Sequence, residues 1–104
     1  MAQTINSGNF EALVATGKPL VLDFWATWCG PCRRLAPVIE ELAKDYDGTA
    51  IVGKCDIEED SDLPVRFGVQ SIPNVVFIKD GKLVDRSIGL VPRSVLEEKI
   101  KAML

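Results

Sequence analysis

Apolar residues along this chain fall into two rhythms. Pro19-Leu20-Val21-Leu22-Asp23-Phe24-Trp25 is a nearly unbroken apolar run, with Asp23 as its one charged interruption. Such a run predicts a strand covered on both faces. From Pro31 onward the spacing becomes helical. Leu35, Ile39, Leu42, Ala43 and Tyr46 share one face, and Gly48 ends the pattern. Pro31 suits the first helical position, where an N–H has no helical partner anyway. Pro37 lies inside the pattern and predicts a kink, because it removes one backbone hydrogen bond. Residues 50–56, Ala-Ile-Val-Gly-Lys-Cys-Asp, return to a strand rhythm. Strand, helix and strand in succession predict a parallel βαβ unit with a right-handed crossover.

The flanks fill in around this unit. Ser7 is placed to cap a short helix with Phe10, Leu13 and Val14 as its apolar positions and Gly17 as its stop. Asp60 or Ser61 is placed to cap another, ending at Gly68. The runs Asn74–Lys79 and Lys82–Ile88 flank Asp80-Gly81. That dipeptide between two strand patterns is a strong hairpin signal, since a type I′ turn needs positive φ. Pro92-Arg93 opens a last helix, along which Val95, Leu96, Lys99, Ile100 and Met103 align. A parallel pair plus a hairpin predicts an α/β fold with one central mixed sheet and helices on both faces. With no repeat, linker or low-complexity stretch in 104 residues, one domain over 1–104 is expected.

Composition removes several function classes. No run approaches the roughly 18 consecutive apolar residues of a membrane span. A net charge of −3 makes no electrostatic case for nucleic acid or an anionic membrane. The chain has no histidine, which removes His-based triads, Cys–His nucleophile pairs and most catalytic zinc sites. The first eight residues have neither a basic nor an apolar segment of the kind that exports proteins, so a cytoplasmic location is expected. The three cysteines are an odd number and a poor disulfide framework. A close pair in that setting reads as redox-active or metal-binding.

Cys29 and Cys32 form that pair, in Trp28-Cys29-Gly30-Pro31-Cys32, where the first strand hands over to the long helix. Residues three apart on a helical turn have Cβ atoms roughly 5–6 Å apart. A disulfide spans Cα atoms about 4.4–6.8 Å apart, so this one can form and break with little backbone motion. Cys29 precedes the helix and is expected to look outward, near unpaired N–H groups and the positive end of the dipole, which favour a thiolate. Cys32, inside the first turn, is expected to be buried. Cys29 is therefore the candidate nucleophile on a partner disulfide, and Cys32 the resolving thiol. Half of a zinc site is the rival reading, but only one further cysteine is available to complete four ligands.

With Val21-Leu22-Asp23-Phe24-Trp25-Ala26 before Trp-Cys-Gly-Pro-Cys, Pro37 in the helix, Ser71-Ile72-Pro73 before a strand and Gly89 after the hairpin, the chain resembles the thioredoxin family over essentially its whole length. The resemblance implies a thioredoxin fold and a general protein-disulfide reductase that carries electrons by dithiol–disulfide exchange without a bound cofactor. It implies recharging by a thioredoxin reductase, NADPH- or ferredoxin-linked, and disulfide-containing target proteins as partners. No nucleic acid or membrane partner is expected, and a monomer is. The resemblance also implies a cis Ile72–Pro73 bond facing the dithiol, whose backbone pairs with an extended target segment. From the bare frequency of cis X–Pro bonds, trans is the expectation. Trp28, Gly30, Pro31, Ser71, Ile72, Pro73, Gly89 and Leu90 become candidate substrate-binding positions. Asn74 stands where the family usually has threonine.

Other residues carry two readings each. Asp23 is either a buried acid/base that takes the Cys32 proton, directly or through a water, or the structural ion-pair partner of Lys54 on the neighbouring strand. The resemblance favours the first, and Lys54 matches the family's lysine. Arg33 and Arg34 either form a solvated face or help to hold Cys29 as thiolate. Trp25 reads as core. Cys55 reads as a small buried hydrophobe, or as a regulatory thiol if accessible. The acidic stretch 58–62 is a solvated loop or a surface that selects partners. Two further functions compete: a disulfide oxidase or isomerase, against which Gly30-Pro31 argues, and a binding scaffold, which has no need of Cys29, Cys32, Asp23 and Pro73 together.

Overall fold

A computed structural model describes all of residues 1–104. The elements run β1 (Gln3–Thr4), α1 (Phe10–Val14), β2 (Leu20–Trp25), α2 (Gly30–Asp45), β3 (Ile51–Asp56), α3 (Asp62–Arg66), β4 (Asn74–Lys79), β5 (Lys82–Ile88) and α4 (Arg93–Lys101). The sheet order is β1-β3-β2-β4-β5. β1, β3 and β2 are parallel, and β4 and β5 are antiparallel to their neighbours. The expected α/β architecture, with a mixed sheet and helices on both faces, is the one observed.

Side chains alternate across the sheet and divide the core into two layers. Val21, Val52, Val75 and Phe77 pack under α2 and α4, against Leu35, Ile39, Leu42, Leu96 and Ile100. Leu20, Leu22, Phe24, Val76 and Ile78 pack under α1 and α3, against Phe10, Leu63 and Phe67. Asp23 takes the phase of Val21, so its carboxyl points to the α2 layer. Arg93 ties α4 to α2 through Glu41 (2.9 Å) and Asp45 (2.7 Å). The hairpin turn has positive φ at Asp80 (53°) and Gly81 (78°), as the type I′ expectation requires.

Three local details differ from expectation, and a choice between two caps is decided. The edge strand β1 was not foreseen. It pairs Gln3 with Gly53 and Thr4 with Lys54. Ser7 does not cap α1: the Asn6 carboxamide accepts from the N–H groups of Gly8 (2.9 Å) and Asn9 (3.2 Å), while the Ser7 N–H donates to Asp60. Of the two candidate caps for α3, Asp60 serves, its Oδ1 accepting from Asp62 (2.9 Å) and Leu63 (3.4 Å). A one-residue longer chain segment is also accommodated in β5. Register shifts between Ile78↔Leu83 and Phe77↔Asp85, which leaves Val84 as a bulge.

The unforeseen strand depends on a small residue. A Cβ at Gly53 would stand 2.6 Å from Ile5 Cγ1 and 2.7 Å from the Gln3 carbonyl oxygen. Gly53→Ala is therefore expected to lower the unfolding free energy by about 1–3 kcal/mol through overpacking. Urea denaturation measures this, and an unchanged midpoint contradicts it.

Candidate active site

The sequence places two thiols at the end of a central strand, and the fold then determines what surrounds them. β2 runs between β3 and β4 and delivers residues 26–29 to the amino end of α2. Cys29 is the N-cap of α2 with extended backbone, and its Sγ accepts from the Cys32 N–H at 3.2 Å. Gly30 and Pro31 form the first two positions of the helix. Cys29 and Cys32 are joined as a disulfide, with Cα atoms 5.3 Å apart. A free helix terminus next to sulfur stabilises negative charge there.

The expectation that Cys29 looks outward needs correction. Cys29 is 5% exposed and Cys32 2%. Ala26 forms a small cluster with the two cysteines, and the half-buried side chains of Trp25, Ile57 and Ile72 pack against it. Cys29 remains the more exposed of two well-covered residues.

Asp23 lies behind the disulfide at 3% exposure. Its Oδ1 has no hydrogen-bond partner, and neither has the Trp25 indole N–H. Asp23, Trp25, Cys32, Arg33, Glu40 and Lys54 line a cavity of about 80 Å³, which is room enough for a bridging water. Burial pushes the Asp23 carboxyl up from 3.8 to about 7, against the opposing field of Lys54. Lys54 is the register partner of Asp23 but makes no contact ion pair with it. Its ammonium lies 3.9 Å from Glu40 and 5.7 Å from the centre of the Trp25 ring. The structural ion pair read from the strand pairing is thus not formed. Glu40 also accepts from the Ala2 N–H at 2.8 Å, which holds it in place.

The second half of the chain reaches the same place. The Ile72–Pro73 bond is cis. Gly89, with φ of 87°, donates its N–H to the Pro73 carbonyl at 2.8 Å, so the two loops are joined. The Ile72 N–H and C=O make no hydrogen bond within the protein. Trp28 is 63% exposed and donates from its indole to Glu58 at 2.7 Å. With Ile57, Pro64, Val69, Ser71 and Ile72 it lines a groove of about 300 Å³. Leu90 and Ile88 are exposed at 48% and 60%. Of the expected groove residues, Ile72 packs on the cysteine cluster, Trp28, Ser71 and Ile72 share one groove, and Gly89 is bonded to Pro73.

The remaining candidates separate. Arg33 folds back to the Thr27 carbonyl (3.0 Å), whereas Arg34 is exposed and unpaired. Cys55 is buried, and burial followed by the fields of Asp60 and Asp56 pushes its thiol up to about 12, which suits a packing role. Trp25 is half-buried rather than core. No group of three or more His, Cys, Asp or Glu side chains is placed to hold a metal ion. Sequence reasoning missed Glu40 and Arg86. An acidic residue two turns after Cys32, facing the strand that carries Lys54, was a usable signal for the first.

The thioredoxin family model matches residues 1–102. A thioredoxin of Staphylococcus saprophyticus is 46% identical over 100 residues, covering 96% of this chain and 95% of the relative. A thioredoxin of Chlorobaculum thiosulfatiphilum is 43% identical over 93 residues, covering 88% and 86%. Among solved structures, the thioredoxin of Fasciola hepatica superposes with a TM-score of 0.89 at 35% identity, covering 98% of this chain and 99% of that one.

The high Asp23 pKa links the site to stability. Asp23 loses its proton near 3.8 when unfolded and near 7 when folded. Between those values the native state binds more protons, so its stability falls as pH rises from about 4 to about 7 and then levels. Asp23→Asn removes this dependence. At pH 8 the oxidised variant is expected to be more stable by about 2–4 kcal/mol, with little difference at pH 4. Urea unfolding at both pH values tests this, and equal stability at pH 8 contradicts it.

Proposed function

The chain belongs to the thioredoxin family and is a protein-disulfide oxidoreductase working by dithiol–disulfide exchange, and from that premise we propose a direction, residue roles and partners. The direction is reduction of protein disulfides. The observation that carries the roles is the shared cavity: Cys32 and an unpartnered, buried Asp23 line the same small space behind Cys29.

In the first step the Cys29 thiolate attacks one sulfur of the target disulfide. The target's other sulfur leaves as a thiolate and takes a proton from solvent. The amino end of α2 and the Cys32 N–H stabilise charge on Cys29 Sγ. In the second step Asp23 takes the Cys32 proton, through a water in the cavity. The Cys32 thiolate attacks Cys29 Sγ, the Cys29–Cys32 bond closes, and the second target thiolate leaves and is protonated. Two electrons and two protons have then passed to the target. A carboxyl that titrates near 7 can both accept and return a proton at neutral pH. Lys54 tunes Asp23 through its field, and Glu40 holds Lys54 in place.

Trp28, Gly30, Pro31, Ser71, Ile72, Pro73, Gly89 and Leu90 form the wall against which the target lies. The free N–H and C=O of Ile72 support strand-type pairing with an extended segment. Members of the family carry no bound cofactor, and a reductase and disulfide-containing targets are the partners the family implies. We infer that a thioredoxin reductase, NADPH- or ferredoxin-linked, recharges the disulfide. The chain is read as one domain over 1–104, acting as a monomer in the cytoplasm. No helix is long and apolar enough to cross a membrane.

Single substitutions separate the two sulfurs. Cys29→Ser and Cys32→Ser are each expected to abolish turnover of a protein disulfide. Only Cys32→Ser is expected to accumulate a covalent adduct with the target, visible by mass spectrometry and released by dithiothreitol. An adduct in Cys29→Ser, or turnover in either variant, overturns the assignment.

A further inference from the structure

Asn74 and Arg86 are used by none of the steps above, yet they touch the loop that bears Ile72 and Pro73. Asn74 opens β4 directly after the cis peptide and is 1% exposed. Both ends of its side chain are engaged. The amide donates to the Ser71 carbonyl at 3.2 Å, and the oxygen accepts from Arg86 Nη1 at 3.0 Å. Arg86 Nη2 donates to the Phe67 carbonyl at the end of α3. Arg86 makes no salt bridge, so these neutral oxygens are what its guanidinium serves. One side-chain pair therefore joins β5, the end of α3 and the cis-proline loop.

The β5 bulge makes this possible. Counted straight back from Lys79↔Lys82, Arg86 would oppose Val75 and face the α2 and α4 layer. The extra residue, Val84, shifts the pairing so that Arg86 opposes Val76 and faces α3.

The loop's acceptors are consequently divided. The Ser71 carbonyl is occupied by Asn74, and the Pro73 carbonyl by the Gly89 N–H. Proline itself has no N–H to offer. Between them, Ile72 alone keeps both backbone groups free. A target segment sliding one residue either way meets a carbonyl already in use.

We propose that Asn74 and Arg86 are positioning residues that set the register in which an extended target segment pairs at Ile72, and so place its disulfide before Cys29. They act through Ser71 and touch neither the cysteines nor the target. This rests on the reading that Ile72 receives the target backbone, and the test separates the two.

The probe is a disulfide peptide, N-methylated in turn at the residue before and the residue after one half-cystine. In the parent protein, methylation at one of these two positions is expected to raise KM about three- to tenfold, the loss of roughly one hydrogen bond, and at the other to do little. Asn74→Asp keeps an acceptor for Arg86 but cannot donate to Ser71. Arg86→Met removes the other end, and Arg86→Lys serves if that variant does not fold. In these variants the contrast between the two peptides is expected to shrink to within about twofold. Their reaction with a small aromatic disulfide, which needs no strand pairing, is expected to be unchanged. A folded Asn74→Asp that keeps the parent contrast overturns the positioning role alone. A parent protein that shows no contrast overturns the pairing at Ile72, and the proposal with it. Equal loss on the aromatic disulfide also overturns it, since the pair would then be acting on the dithiol.

Discussion

A carboxyl group with no hydrogen-bond partner, held in the middle of a strand covered on both faces, is the constraint around which this site is arranged. Burial of Asp23 opposes its ionisation, and the obvious remedy, contact with Lys54 across the sheet, is withheld. Glu40 draws the ammonium to 3.9 Å on its own side, and the Ala2 N–H fixes Glu40 in turn. The carboxyl thus keeps its proton until about neutrality. The field of Lys54 opposes this rise in pKa without cancelling it. On the proposed reading, the cost in stability accompanies a proton acceptor beside a buried thiol.

The site depends equally on chain segments far apart in sequence. β2 and α2 supply Asp23, Cys29 and Cys32 as neighbours along the chain. The cis-proline loop and Gly89 come from the other half, and the hydrogen bond from the Gly89 N–H to the Pro73 carbonyl joins them. Their joint effect is to cover both sulfurs with apolar side chains while leaving one residue's backbone free beside them. On the proposed reading, that free backbone edge is where an extended target chain pairs.

Much of this was legible in the sequence, and the failures have identifiable causes. β2, β4 and β5 were placed correctly because unbroken or alternating apolar runs and an Asp-Gly turn leave few alternatives. β1 was missed because two residues carry no periodicity. What makes it a strand is its partner, a glycine on β3 that leaves space for Ile5. The Asp23–Lys54 ion pair was one of two readings open from neighbouring strands, and strand pairing does not reveal that Glu40 on α2 lies near the lysine. Cys29 was expected outside because it caps a helix. The cover over it comes from Ile57 and Ile72, which no local pattern reveals. Arg86 drew no reading from the sequence, because a straight count of the hairpin turns it away from α3, and the bulge at Val84 that reverses this leaves no local signal.

The central claim is that Asp23 takes the Cys32 proton, and the rate of mixed-disulfide resolution tests it most directly. A target or thiol-reagent adduct on Cys29 is prepared, and release is followed by rapid mixing from pH 6 to 8. In the parent protein the rate should rise through an ionisation near 7. In Asp23→Asn it should lack that step and run slower at pH 7, by tenfold or more, toward the roughly 10²–10⁴-fold contribution of a positioned base. Matching rates and pH profiles in the two proteins would contradict the account.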